Sequence, residues 1–159
     1  MIELRKVNGE NIWQLVALEV EESQKTFVAT NTQSILEAYC AISGGSVALP
    51  FGIYDGETPV GFTMLGFSDT DWENAPAIAH GNYSLWRLMI DKRFQGRGYG
   101  KAAMEAILKY IRSFPCGKAE YCMLSYEPEN TVAKELYHSF GFTENGELDG
   151  DEIVAVLKL

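Results

Sequence analysis

Cysteine is scarce in this chain, basic residues are outnumbered, and no long apolar run occurs. The three cysteines, Cys40, Cys116 and Cys122, have no metal-ligand spacing and leave an odd thiol under any disulfide scheme. Neither a metal module nor a disulfide scaffold is therefore expected, and a reducing cytoplasm suits these thiols. No stretch reaches the roughly 18 consecutive apolar residues of a membrane span, and no basic-then-apolar leader opens the chain. Membrane attachment and export are accordingly not expected. Lys and Arg number 13 against 22 Asp and Glu, a formal charge of −9. That balance argues against a nucleic-acid partner, whose phosphates attract basic surfaces. It favours cationic partners, although an acidic surface also serves solubility alone. Repeats and low-complexity tracts are absent too. A chain of 159 residues, 47% hydrophobic, predicts one α/β domain over 1–159 with a substantial core.

Periodicity places the elements. Residues 2–7 alternate as a strand, and 11–22 read as a helix with Trp13, Val16, Ala17 and Val20 on one face. Asn31 or Thr32 caps a second helix whose apolar residues are Ile35, Leu36, Tyr39, Cys40 and Ile42. Residues 47–54 and 60–67, joined at Asp55-Gly56, form an antiparallel pair. A long loop over 68–82 follows, and long loops often carry function. A strand over 84–91, a helix over 98–113 ending before Pro115 and Gly117, a strand over 121–126, a helix over 130–140 and a terminal pair near 142–144 and 153–157 complete the chain.

The most informative stretch is the apolar run Leu85-Trp86-Arg87-Leu88-Met89-Ile90-Asp91 followed by Gln95-Gly96-Arg97-Gly98-Tyr99-Gly100-Lys101. Glycines let the backbone turn sharply and aim successive N–H groups at one point. The helix that begins there adds its positive end, so the loop is an anion cradle suited to phosphate or pyrophosphate. A plain strand-to-helix turn is the alternative. Spacing narrows the choice. A Walker A loop needs Ser or Thr after its Lys, and Lys101 is followed by Ala102. Gly98-x-Gly100-x-x-Ala103 fits the dinucleotide fingerprint loosely, but Glu120 falls at the start of the next strand and too little chain remains.

A second constellation follows: Asn130, Ala133, Leu136, Tyr137 and Gly141-Phe142. Asn130 also reads as a helix cap, and Tyr137 as core. Taken with Gln95 to Gly100 and in this order, the two blocks resemble the GNAT N-acetyltransferases, over most of the chain and most sharply between 85 and 142. The resemblance implies the GNAT fold, a mixed, mostly antiparallel sheet flanked by helices, whose two central parallel strands splay apart. It implies acetyl-CoA as cosubstrate and direct transfer to an amine in a ternary complex. It assigns the Leu88 N–H to the thioester oxygen, the backbone of Met89 and Ile90 to pantetheine, and the amides of Gln95, Gly96, Arg97, Gly98, Tyr99, Gly100 and Lys101 to the pyrophosphate. Asn130 would contact the pantetheine arm. Tyr137 would protonate the leaving thiolate, a role a neutral phenol can fill.

Many family members carry a glutamate on the central strand, where this chain has Ser84 or Trp86. An alkyl amine is mostly protonated at neutral pH, so a base is needed, and Glu22, Asp69, Asp71, Glu73 and His80 are candidates. The segments Glu22-x-Gln24-x-x-Phe27-Val28-Ala29, Ser34 to Tyr39 and Asp149 to Val154 are similar to those of bacterial spermine/spermidine acetyltransferases. A polyamine acceptor is thereby implied, held by carboxylates such as Glu19, Glu21, Glu22 and the 69–73 loop, between walls of Phe27, Trp72 and Trp86. Other amines, a protein N-terminus, or CoA binding without turnover remain alternatives. A homodimer is also implied by the family.

Overall fold

The computed structural model describes residues 1–70 and 72–159. Seven strands form one sheet in the order β1-β2-β3-β4-β5-β7-β6. They are β1 (Ile2–Lys6), β2 (Val47–Asp55), β3 (Thr58–Phe67), β4 (Tyr83–Ile90), β5 (Tyr121–Tyr126), β6 (Thr143–Asp149) and β7 (Glu152–Lys158). Four helices accompany them: α1 (Ile12–Val16), α2 (Asn31–Ser43), α3 (Tyr99–Ile111) and α4 (Thr131–Ser139). Every strand contact is antiparallel except β4 with β5. This is the GNAT fold. No helix among the described residues is long and apolar enough to cross a membrane.

The sheet is covered on both faces. On one, Met104, Ile107, Leu108 and Ile111 of α3 and Tyr137 of α4 pack on Leu65, Leu85, Cys122, Leu124 and Tyr126. On the other, Leu15, Leu18 and Ala38 pack on Ala48, Phe62, Met64 and Met89. Alternation along the strands divides these sets, as a pleat requires.

One irregularity shapes the molecule. Met64 and Leu65, adjacent on β3, face Arg87 and Leu85 on β4, so Trp86 has no partner in the register. The extra residue is a β-bulge, which bends its strand and shifts the side-chain alternation by one. Leu85 and Leu88 consequently meet the α3–α4 core, while Trp86 and Met89 meet the α1–α2 core. The parallel pairing of β4 with β5 consists of Tyr83 with Cys122 and Ser84 with Met123. Beyond the bulge the two strands part, and β5 continues with β7 instead.

Three expectations from periodicity are corrected. The helix predicted over 11–22 ends at Val16, because the following segment bonds across to the end of β4: the Glu19 N–H donates to Asp91 Oδ2 at 3.1 Å and Lys92 N–H to the Glu19 carbonyl at 2.9 Å. Its buried residues are Leu15 and Leu18, whereas Trp13 is 78% exposed. On α2 the residues turned inward are Asn31, Ser34 and Ala38, small enough for close approach to β2, and Leu36, Tyr39 and Ile42 are exposed. The remaining strands and helices lie within a few residues of their predicted spans, β6 being longer than expected.

Candidate active site

A cavity of about 1140 Å³ opens where β4 and β5 diverge and runs continuously past both. Its cofactor end is built mainly from backbone. Ile90 ends β4 and Asp91 follows it, and Gly96 and Gly98 take the left-handed conformation, at φ 72° and 83°, which costs a residue with a Cβ dearly. A Cβ built on either would meet nothing within 4 Å. The protein leaves that space open beside the helix start. Gly98 is the N-cap of α3, supplies no side chain to its N–H groups, and no acidic residue stands in the first turn. The orphan donors and positive helix end therefore face outward toward an anion. Gln95, Gly96, Tyr99 and Gly100 line the cavity together with Leu88, Met89, Ile90, Asn130 and Tyr137. Arg97, Gly98 and Lys101 are exposed on the outer rim of the loop.

Several side chains there act differently from their sequence-level reading. The Tyr99 hydroxyl donates to Asp55 Oδ2 at 2.8 Å, anchoring α3 to the β2–β3 turn, so only its backbone is free for a ligand. Asn130 does cap α4, accepting from the Ala133 N–H at 3.3 Å, and also lines the cavity. Tyr137 is 9% exposed and its ring lies 6.1 Å from both Tyr126 and Phe142. Burial, helped by the charge of Glu152, pushes its phenol above the ordinary value. It stays protonated and able to donate.

The other end is built from side chains. Phe27, Trp72 and Trp86 supply aromatic walls, and Glu37, Asp69, Asp149 and Glu152 supply carboxylates. Glu37 pairs with Arg87 at 2.8 Å. Asp149 Oδ1 accepts from Trp72 Nε1 at 3.2 Å, and Glu152 Oε2 accepts from the Ser125 hydroxyl at 2.6 Å. Burial first, then the charges of Asp149 and Glu127, raise the Glu152 carboxyl above its ordinary range despite the Ser125 hydrogen bond and Arg87. Glu37, Arg87 and Glu152 went unmarked in the sequence as site residues. The acidic run Asp149-Gly150-Asp151-Glu152 was the available signal, and its turn places Asp149 opposite Glu152.

Several predicted acceptor and base residues fall elsewhere, Glu19 and Glu21 among them. Glu22 begins a 3-10 turn over Glu22–Gln24, faces solvent, and pairs with Lys25 at 2.6 Å; it lies outside the lining. A turn of that pitch places residues three apart on the same side, which joins Glu22 to Lys25 and leaves Gln24 facing inward. Glu73 and His80 are exposed and also outside the lining, and Asp71 lies outside the described residues. Of the predicted bases that are described, Asp69 is the one lining the cavity. Ser84 and Trp86 line it as well, with no carboxylate between them.

The two ends are tied together. The Gln95 amide donates to the Ile90 carbonyl at 2.9 Å and exchanges two hydrogen bonds with Gln24, at 2.8 and 3.1 Å. Gln24 also accepts from the Glu21 N–H at 3.1 Å. Buried Asp91 collects the N–H groups of Glu19 and Arg93 and the Arg93 guanidinium. Although burial opposes it, those donors hold the Asp91 carboxyl below its ordinary range.

The arrangement matches known proteins in sequence and in shape. Residues 12–142 match the model of the acetyltransferase (GNAT) family. The chain is 31% identical over 149 residues to the spermine/spermidine N(1)-acetyltransferase of Bacillus subtilis (strain 168), covering 93% of this chain and 91% of that protein. Among solved structures, an aminoglycoside acetyltransferase in complex with coenzyme A superposes with a TM-score of 0.78 at 15% identity, covering 99% of this chain and 95% of that one. The spermidine N-acetyltransferase of Vibrio cholerae, in complex with CoA and spermine, gives 0.70 at 18% identity, with coverage of 99% and 95%. A split sheet, an uncapped glycine-rich helix start and a sequence match across most of the length converge on one conclusion: the chain belongs to the acetyltransferase (GNAT) family, with acetyl-CoA as its cosubstrate.

Proposed function

We propose that this protein transfers the acetyl group of acetyl-CoA to a primary amine of a polyamine, spermine or spermidine, by direct attack in a ternary complex. The observation that carries this reading is the continuity of the cavity, from the anion cradle at one end to carboxylates interleaved with aromatic rings at the other. A flexible polycation needs spaced negative charges with apolar surface between them. The Bacillus relative supports the same acceptor.

In this reading the amides of the 95–101 loop hold the pyrophosphate, with Arg97 and Lys101 adding charge at the rim. Met89 and Ile90 receive pantetheine as an added strand, possible because β4 has lost β5 beyond the bulge. Asn130 borders the pantetheine arm. The Leu88 N–H stabilises the oxyanion as the amine attacks. Tyr137 gives its proton to the departing thiolate. Phe27 and Trp86 bound the acceptor, and Asp149 and Glu152 replace Glu22 as its carboxylates. A cytoplasmic setting and a homodimer belong to the same reading, the latter supported by Leu36, Tyr39 and Ile42, which α2 leaves in water.

One observation favours a second acceptor class, an amine that also bears a carboxylate. Arg87 lines the same wall, and its Nε is buried without a hydrogen-bond partner among the described residues. Thiol release from acetyl-CoA, measured across spermine, spermidine, monoamines, diamino acids and an aminoglycoside, decides between them. The polyamines are expected to give the highest kcat/KM, with a KM that rises with salt at saturating acetyl-CoA, because an exposed ionic groove is screened. Diamino acids outperforming spermine would transfer the assignment to the second class. CoA binding with no thiol release from any amine would make the protein a binding module.

A further inference from the structure

The residues of β4 that line the cavity, Ser84 to Ile90, include no carboxylate, yet an ammonium group must lose a proton before its nitrogen can attack. Four carboxylates line the cavity among the described residues: Glu37, Asp69, Asp149 and Glu152. Glu37 is committed to the Arg87 guanidinium. Asp149 is held by Trp72 and spreads toward Ser125 at 3.5 Å. Asp69 follows β3, where its Cβ lies beside Gly66, and stands as the rival that Asp69→Asn tests. Glu152 stands on β7, across β5 from the split, hydrogen-bonded to Ser125 on β5 itself.

The geometry relates Glu152 to Tyr137. Ser125 and Glu152 project from the sheet face opposite Leu124 and Tyr126, and the Tyr126 ring is packed against Tyr137. Phenol and carboxylate thus reach the same cavity from opposite faces of the sheet, with the parted ends of β4 and β5 between them. Both line that cavity, and the Glu152 charge adds to burial in raising the Tyr137 phenol. A thioester threaded through the split would have a proton donor on its sulfur side and an acceptor on its amine side.

We propose that Glu152 is the general base of this enzyme, taking the proton of the acceptor's ammonium, and that Ser125 and Asp149 position it. The inference rests on the amine acetyltransferase reading above. Glu152 removes one proton from R–NH3⁺ and passes it to solvent. The freed lone pair forms the C–N bond, the carbonyl π pair moves to oxygen and returns, and the C–S bond breaks. The thiolate takes the Tyr137 proton, and the second proton lost by nitrogen restores the phenol through solvent. The balance is R–NH3⁺ plus acetyl-CoA giving R–NH–COCH3, CoA–SH and one H⁺. The groups facing Glu152 suit the role: Asp149 from β6, Glu127 beyond β5, Arg87 from β4 and Tyr137 from α4. Burial first, then Asp149 and Glu127, raise its carboxyl above the ordinary range against Ser125 and Arg87, the direction that strengthens a general base.

The test is the pH profile of kcat and kcat/KM for wild type, Glu152→Gln, Glu152→Asp and Asp69→Asn, with spermine and saturating acetyl-CoA. CoA binding is followed in parallel by calorimetry. Glu152→Gln is expected to lower kcat by about 10²–10⁴-fold, to abolish the acidic limb and to leave CoA affinity intact. Its deficit should shrink as pH approaches about 10, where an alkyl amine supplies its own free base. Glu152→Asp should recover part of kcat. A raised KM with kcat and limb unchanged would make Glu152 an amine contact only and overturn the proposal. So would transfer of the limb's loss to Asp69→Asn. A wild-type enzyme that acetylates no amine in the panel refutes the parent reading instead, a result seen before any variant is made.

Discussion

At one end of the cavity the chain offers backbone from a single stretch, Gln95 to Lys101, opening directly into α3. At the other it offers side chains from separate elements: Phe27 after the 3-10 turn, Glu37 on α2, Trp72 in the 68–82 loop, Arg87 on β4, Ser125 on β5 and Asp149 and Glu152 across the β6–β7 turn. The first can be recognised from local sequence because its chemistry needs only donors and room. The second exists only once the sheet has brought distant segments together. The bridge between them, Gln24 with Gln95 and Asp91 with Glu19, ties the 19–24 segment to the loop that follows β4.

The largest effect expected lies where the two halves meet. Tyr137→Phe keeps the ring that packs on Tyr126 and Phe142, so a packing role predicts near-normal turnover. Loss of the general acid predicts a fall in kcat of about 10²–10⁴-fold with CoA affinity retained. Steady-state kinetics beside a CoA titration decides between them.

Next comes the cofactor half alone. Gly98→Ala puts a Cβ into open space at φ 83°, at a conformational cost of about 1–2 kcal/mol. If that displaces one amide from the pyrophosphate, about 1.5–3 kcal/mol for a charged hydrogen bond, CoA affinity should fall about 10- to 100-fold. Polyamine KM at saturating acetyl-CoA should stay near wild type. Undiminished CoA binding by calorimetry would remove the loop from the site.

The bridge should give a smaller change with the opposite selectivity. Gln24→Ala removes one partner of the amide pair, typically 0.5–1.5 kcal/mol for a neutral hydrogen bond. Spermine KM is expected to rise about two- to tenfold while CoA affinity holds. Equal weakening of both ligands would show that the two halves are one unit.

The smallest effects are in stability, and buried Asp91 and half-buried Glu152 differ in sign. Asp91 titrates below the ordinary range, so its contribution is present above that range and lost as pH falls through its lowered value. Asp91→Asn should therefore destabilise at neutral pH, by roughly 1–3 kcal/mol, and less in acid. Glu152 titrates above the ordinary range, so its contribution is present below that range and lost as pH rises through its raised value. Glu152→Gln should raise Tm at pH 7–8 by a few degrees, about 2–4 °C per kcal/mol at this size, and change little near pH 4. Thermal melts of both variants from pH 4 to 8 check the crossing.

The pattern of residues determined a good deal alone. The strand runs of β2 through β5, the turn at Asp55-Gly56, the glycine turn before α3 and the Asn130 cap are all local. Each depends on period, a glycine or a short polar side chain acting within a few residues. What the local pattern misassigned was settled by partners remote in sequence. The first helix stops at Val16 because Glu19 bonds to Asp91 and Lys92. On α2 the close approach to β2 selects Ser34 and Ala38 and leaves Leu36 and Tyr39 outside. The split itself depends on the Trp86 bulge, visible only in the pairing of β3 with β4. Glu152 acquires its raised carboxyl from burial, Asp149 and Glu127, against the hydrogen bond from Ser125. Periodicity reports which side chains prefer to leave water. Only the assembled sheet decides which carboxylates lose their water and face one another across a cavity, because desolvation and charge act through space rather than along the chain.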